Sequence, residues 1–381
     1  MMKNIKNFRW KHYISYFVII LAGIILSGMS LNGSIKSSDL ISLEKIVIAI
    51  LLSLSLSLVV GFLGELSLGH AGFMCVGAYL GGKSAALLEP MLGEGLPVLI
   101  ITMIIGGLCA AVCGVIIGLP ALRLRGDYLA IVTLAFGEIV RSIFENTSEE
   151  TFGGPPGLKT PRFDKEYLFI VGIVAILICL ATIQNIMRSK HGRAITAIRD
   201  SEIAARATGI NVTKYKLIVF TVSAFFAGIA GVIYSFSVSK LQTETFTYIY
   251  SIDILVMVVL GGMGSINGSM IAAALITFLE IKLQTYLTGD LAVFQNFLYA
   301  LILILIVIYN NAPGLKNFRE QYNFKNLVGR FIKRKRSISS DRDDEARWHR
   351  VPTKIDIDET LSVKVQRDVI APNINSEKGD K

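Results

Sequence analysis

The chain has 381 residues, 52% of them hydrophobic and 18% charged, with a net charge of +9 and a mean hydropathy of +0.57. That composition excludes an ordinary soluble domain. The positive charge is gathered in particular loops, which fits membrane orientation and gives no nucleic-acid-binding face.

About ten apolar runs approach the ~20 residues a helix needs to cross a bilayer core. The expected fold is therefore an all-α polytopic membrane protein with about ten transmembrane helices, some of them glycine-broken. Lys3, Lys6, Arg9 and Lys11 precede a run from Tyr13 to Leu31 that is too long for a signal-peptide core and lacks an A-x-A site. This predicts an uncleaved first span, with residues 1–12 in the cytoplasm. A second run covers Ile41 to Phe62.

The third run, Leu63 to Leu88, carries Glu65 and His70 at its start and is crowded with Gly64, Gly69, Gly72, Gly77, Gly81 and Gly82. In a membrane such glycines allow close backbone packing or a broken helix lining a cavity. Gly77 to Ser84 also fits the phosphate-loop spacing G-x-x-x-x-G-K-S. That loop works only between a buried strand and a helix, and no such flanks exist here.

The fourth run, Leu96 to Leu119, repeats Gly106, Ala110, Gly114 and Gly118 at every fourth residue, a face for close helix contact. Arg123, Arg125 and Asp127 then form a corner, and Tyr128 to Phe144 is the fifth run. It holds Thr133 and Glu138, with Arg141 one turn on. Membrane-embedded carboxylates are expensive and often mark a pathway; a snorkelling Glu138–Arg141 pair is the alternative. The acidic interval 145–166, with TFGGPPGL inside it, suits a shaped turn on the outer side.

Tyr167 to Met187 and Leu217 to Val238 are the sixth and seventh runs, the latter with Ala224/Gly228 and Ala227/Gly231 as small pairs. Ser251 to Gly262, Met270 to Leu287 and Leu291 to Tyr309 follow. Gly261, Gly262 and Gly264 break the first two of these around a tight turn, loosely echoing the glycine-rich third run. Residues 316–381 form a charged, polar tail, predicted to be cytoplasmic and largely disordered.

The interval 188–216 is the longest ordered polar stretch. Asp200 or Ser201 can cap a short helix there, and Glu202 suits its first turn. Gly209 ends it, while Ile203, Ala207 and Ile210 fall on one face. A docking helix for a soluble partner and a solvated loop are both consistent with this stretch alone. Ten spans with both termini inside place Arg123, Arg125, the 188–216 loop and the tail in the cytoplasm. They place Glu89, Glu94 and 145–166 outside, as the positive-inside rule requires. Cys75, Cys109, Cys113 and Cys179 lie inside apolar runs without metal-ligand spacing; no metal and no cofactor is expected.

Several of these stretches together resemble one family. SLGHAGFMCVGAYLGG (Ser67–Gly82), LRLRGDYLAIVTLAFGEIVR (Leu122–Arg141), GGPPGL (Gly153–Leu158), the segment Gly192–Gly231 and VMVVLGGMGSINGS (Val256–Ser269) are similar to the inner-membrane permeases of branched-chain amino acid ABC importers. The likeness covers roughly residues 45 to 315 and fits the larger of the two permease types. Phe152 stands where the family commonly has Thr, and the tail is longer than usual.

The resemblance implies a pathway shared with a second, homologous permease. It further implies two cytoplasmic ABC ATPase subunits and an extracytoplasmic solute-binding protein that delivers leucine, isoleucine or valine. It implies a bacterial cytoplasmic (inner) membrane location and no catalytic residues; the basic part of the tail suits membrane lipid as a further partner, and the charge pattern points to no nucleic acid. It assigns ATPase coupling to Glu202, Ala204, Ala205 and Gly209. Polarity and glycine interruption make Gly69, His70, Gly72, Thr133, Glu138, Gly261, Gly262 and Gly264 the candidate path-lining or hinge positions. A urea or short-amide importer of the same architecture is an alternative. An ion-coupled secondary transporter is a further one; it would need buried ionisable groups, for which Glu138, Asp253 and Glu280 are sparse candidates.

Overall fold

The computed structural model of the chain describes residues 14–31, 37–93, 95–124, 126–161, 163, 165–287 and 294–311. The basic N-terminal residues, Glu94, Arg125, Asp164 and the charged tail 316–381 lie outside the described residues. So do six positions of the stretch joining the last two runs.

The apolar runs are helices: α1 (Ile14–Leu31), α2 (Ser37–Ser57), α3 (His70–Leu92), α4 (Leu96–Ala121) and α5 (Asp127–Glu145). A one-turn helix α6 (Glu149–Phe152) precedes α7 (Lys165–Arg188), α8 (Lys190–Asp200), α9 (Glu202–Ala207) and α10 (Val212–Ser237). The chain then continues through α11 (Tyr248–Leu260), α12 (Ile266–Tyr286) and α13 (Gln295–Asn311). Among the described residues, six helices are long and apolar enough to cross a membrane: α2 with its extension, α3, α4, α7, α10 and α12.

The bundle is built on α3, α4 and α10, and small residues decide how closely they pack. A Cβ added at Gly77 would collide with the backbone of Gly228, and one at Gly231 with the carbonyl of Met74. A Cβ at Gly106 would lie 2.9 Å from Gly77 O, and one at Gly114 2.8 Å from Ala224 Cβ. The every-fourth-residue faces of α4 and α10 thus meet each other and the glycines of α3. In lipid, where no hydrophobic force draws helices together, such close van der Waals contact drives association.

Helix α2 runs through the middle of the protein and packs on α7, α10 and α12. Its leucines at 51, 52, 54 and 56 are fully buried, as is Leu58 just beyond it. Ser53, Ser55 and Ser57 are buried among them because each hydroxyl bonds a carbonyl one turn back. The helix ends in a π-helical turn, Leu58–Leu63, closed by Gly64 in the left-handed region at φ 79°. Apolar residues that remain exposed recur at helical spacing, such as Ile100, Ile104, Leu108, Val112 and Ile116 on α4. They form a stripe that a bilayer would cover.

Several boundaries differ from the sequence-based expectation. The third run is not one span from Leu63: an irregular segment separates the π-turn from α3, which is then continuous through all its glycines. The GAYLGGKS octet lies wholly inside α3, and Lys83 Nζ donates to the carbonyl of Glu150 at 3.1 Å. The seventh span starts earlier, at Val212, because the Asn211 side chain caps it by accepting from Lys214 N at 3.1 Å. Lys216 is therefore a residue of α10.

The 145–166 interval contains α6 and a strand, Leu158–Lys159, paired antiparallel with Lys240–Leu241. Phe152 packs edge-on against Phe144, which stacks on Tyr79 at 4.5 Å. This aromatic row ties the acidic turn to α5 and α3.

Candidate functional site

The polar loop after α7 folds as two helices rather than one. Ser189 caps α8, accepting from His191 N at 3.1 Å, and Ser201 caps α9, accepting from Ala204 N at 3.3 Å. Asp200 instead ends α8 and pairs with Arg199. Gly209 has φ 83°, a conformation open to glycine at little cost, so α9 stops after six residues and Ile210 lies beyond it.

Ile203 and Ala207 share one face as expected, and it points outward, while Ile210 leaves that face and packs against the core. Ala205 is the residue of α9 buried against the bundle. Ile203 is 74% exposed, and Ala204 and Ala207 are exposed with it.

Two polar contacts add to the buried Ile195, Ile198 and Ala205 in fixing α8 and α9 to the bundle. Lys216 is 1% exposed and ion-pairs with both Glu65 and Glu202, the latter at 3.3 Å. Glu202 also holds Arg206 at 2.7 Å. On α8, Arg199 Nη1 points at Gly61 O at 3.5 Å, and its stem lies over Gly64, where a Cβ would sit 2.8 Å from Arg199 Cγ. Gly61 in turn touches the glycine turn between α11 and α12: a Cβ on Gly61 would be 2.7 Å from Gly264 N. Gly262 and Gly264 have φ of 91° and 83°, and Gly261 packs directly on the backbone of Gly268 and Ser269. One end of the bundle thus gathers α8, α9, the π-turn and the glycine turn.

A second polar assembly lies deeper. The first turn of α3 opens inside the bundle, so its unpaired N–H groups need partners. Ser251 of α11 accepts from Ala71 N at 3.0 Å, and Thr133 of α5 accepts from Leu68 N at 3.0 Å. His70 is 1% exposed and bonds Ser55 at 2.7 Å. Gly69 packs on the backbone of Thr133, and a Cβ on Gly72 would lie 2.7 Å from Gly137 Cα. The first turn of α11 also opens against α5, where Glu138 accepts from Tyr248 N at 2.9 Å. A carboxylate at a helix N-terminus is favoured by both hydrogen bond and dipole. Glu138 further pairs with Arg141 at 2.9 Å, and Arg141 with Glu145 at 2.8 Å. So the Glu138–Arg141 pair exists, and Glu138 adds a contact to another helix.

Of the residues singled out from sequence, Gly69, His70, Gly72 and Thr133 come together in one buried seam. Glu138 lies on the same helix as Thr133 but is 30% exposed. Gly261, Gly262 and Gly264 lie at the other assembly, beside α8. Glu202 and Ala205 face the bundle, whereas Ala204 and Gly209 face outward. Sequence reasoning missed the partners Lys216, Glu65, Arg199, Ser55 and Ser251. For the first, the placing of Lys216 directly before the apolar run from Leu217 was a signal.

Residues 40–307 match the family described as branched-chain amino acid transport system / permease component. The chain is similar to the high-affinity branched-chain amino acid transport system permease protein LivM of Escherichia coli K12, 35% identical over 316 residues, covering 74% of this chain and 70% of that protein. It is 27% identical over 252 residues to a probable LivM of Methanocaldococcus jannaschii, covering 60% and 70%. It is more distantly similar to the ribose import permease protein RbsC of Escherichia coli K12, 33% identical over 165 residues, covering 42% and 47%. No solved structure matches the chain. The buried small-residue bundle, the two-helix polar loop and this extended match agree: the chain is a multi-pass membrane protein and belongs to the family of permease components of branched-chain amino acid transport systems.

Proposed function

We propose that this chain is one of two homologous membrane subunits of an ATP-driven importer that carries leucine, isoleucine or valine by alternating access. Ten spans cross a bacterial cytoplasmic membrane, with both termini and α8–α9 in the cytoplasm. Residues 13–315 form the permease domain and 316–381 a charged cytoplasmic tail. Two ABC ATPase chains hydrolyse ATP beneath it, and a solute-binding protein delivers substrate to the opposite face, near the 145–166 interval.

The single observation that carries this reading is α9. It turns Ile203, Ala204 and Ala207 to the outside while its inner side is held by ion pairs. An apolar patch on a firmly mounted surface helix suits a groove on a soluble partner. Glu202 and Ala205 mount the helix, Ala204 presents contact surface, and Gly209 ends it. Along the pathway, Glu138 is the path-lining group. Gly69, His70, Gly72 and Thr133 form the seam on which α3 and α5 adjust, and Gly261, Gly262 and Gly264 form the inner hinge.

The test is uptake by the complete transporter in vesicles. Uptake of labelled leucine should require ATP, both membrane chains and the binding protein, and should resist competition by urea. Uptake by this chain alone without ATP would overturn the proposal.

A further inference from the structure

Lys214 and Lys216 lie in the same turn of α10, yet Lys214 is exposed and Lys216 is buried. Burial of a charged lysine demands partners, and it has two: Glu202 on α9 and Glu65 on the segment leading into α3. Such an ion group is a weak source of stability, because desolvation offsets its attraction; an apolar side chain of similar length would hold α10 about as well. What a lysine adds is a direct charged tie between α9 and the segment leading into α3, beside the packing of Arg199 of α8 on Gly64.

Glu65 begins a short chain of contacts. Three residues on, Leu68 N bonds Thr133 Oγ1 and Gly69 rests on the Thr133 backbone. Thr133 lies on α5, the helix that carries Glu138. Arg199 reinforces the start of the same route by lying over Gly64. A displacement of α9 therefore has a contiguous path through Lys216, Glu65 and the 64–69 segment to α5.

We infer that Lys216 is a positioning residue that transmits movement of the docking helix to the seam between α3 and α5. The inference rests on the coupling role proposed above for α9. Lys216 contacts neither substrate nor ATPase; it acts through Glu65 and Glu202.

The experiment uses the complete transporter in vesicles, and for each variant compares leucine taken up with ATP hydrolysed, alongside thermal stability and ATPase co-purification. Lys216→Met leaves Glu65 unpaired, whereas Lys216→Met with Glu65→Gln removes both charges, and Glu202 keeps Arg206 in either case. The double variant should regain the parent's thermal stability. The ratio of uptake to hydrolysis should nevertheless stay about tenfold or more below the parent, within the usual span of coupling energies. ATPase co-purification should persist in both. A double variant that recovers stability and ratio together would overturn the inference and leave Lys216 a merely structural residue. If Ile203→Asp, which leaves α9 folded, keeps ATPase co-purification at the parent's level, the coupling role itself fails, and this inference with it.

Discussion

His70 Nε2 and Ser55 Oγ share a hydrogen bond of 2.7 Å that joins the head of α3 to the middle of α2. The same hydroxyl lies 2.8 Å from Leu52 O, one turn back on its own helix. Ser223 of α10 donates to the carbonyl of the same Ser55 at 2.6 Å. One residue of α2 thereby holds the head of α3 and the middle of α10.

His70→Ala should therefore act mainly through this junction. It takes from Ser55 its side-chain partner in a buried site, at a cost of about 1–3 kcal/mol. Thermal unfolding of the purified permease complex should show the loss, and Ser55→Ala should show a loss of the same order. If His70 also belongs to the α3 hinge, uptake per folded transporter should fall too. Unchanged uptake per folded transporter would strike it from that group.

The packing of α3, α4 and α10 makes a sharper prediction. Gly77→Val or Gly228→Val forces a branched side chain into a backbone contact, where overpacking costs at least about 1–3 kcal/mol. Membrane yield and detergent stability should both drop steeply. Gly28→Ala on α1, where a Cβ meets nothing within 4 Å, should stay within about 0.5 kcal/mol of the parent. Equal behaviour of the two classes would mean that the glycine contacts are not what holds the bundle.

Much of this architecture was legible from residue order because lipid simplifies the problem. An apolar run must become a helix, since no other local structure satisfies its backbone there. Small residues four apart on α4 and α10 announced a close contact, and the structure makes it. Three things were not legible. The break between Leu63 and His70 carries no proline or charge cluster, and only the tertiary contacts of Leu68 and Gly69 reveal where α3 starts. Gly209 ends α9 before Ile210 can join its face, so Ile210 packs back on the bundle while Ile203 and Ala207 stay outside. The Lys216–Glu65 pair joins residues 151 positions apart. Periodicity reports neighbours on one element and is silent about such distant partners.

Glu138 offers a way to separate structure from transport. Glu138→Gln keeps an oxygen that can accept from Tyr248 N but gives up the ion pair with Arg141, which retains Glu145. Its stability should change by no more than about 1 kcal/mol, the scale of a partly exposed pair. Glu138→Ala also removes the acceptor at the head of α11, and loss of that charge-assisted bond should cost about 1.5–3 kcal/mol. Should Glu138 line the pathway through its charge, Glu138→Gln alone will cut leucine uptake while the unfolding temperature barely moves. Parallel loss of stability and uptake in both variants would assign it to mounting α11 and nothing more.

Ile203→Asp tests the outward face of α9 most directly. The side chain is 74% exposed in the isolated chain, so the charge meets water and the fold should be unaffected, within about 0.5 kcal/mol. In the assembled transporter the same position would be buried against an ATPase. There a carboxylate replaces an apolar contact and is itself desolvated, which should cost at least about 2–3 kcal/mol of binding. The complex should lose its ATPases during purification while the permease remains folded. Ala205→Asp, on the inner side of the same helix, should instead lower the stability of the permease itself. This difference between two residues two positions apart is what a docking helix requires, and a solvated loop would show neither effect.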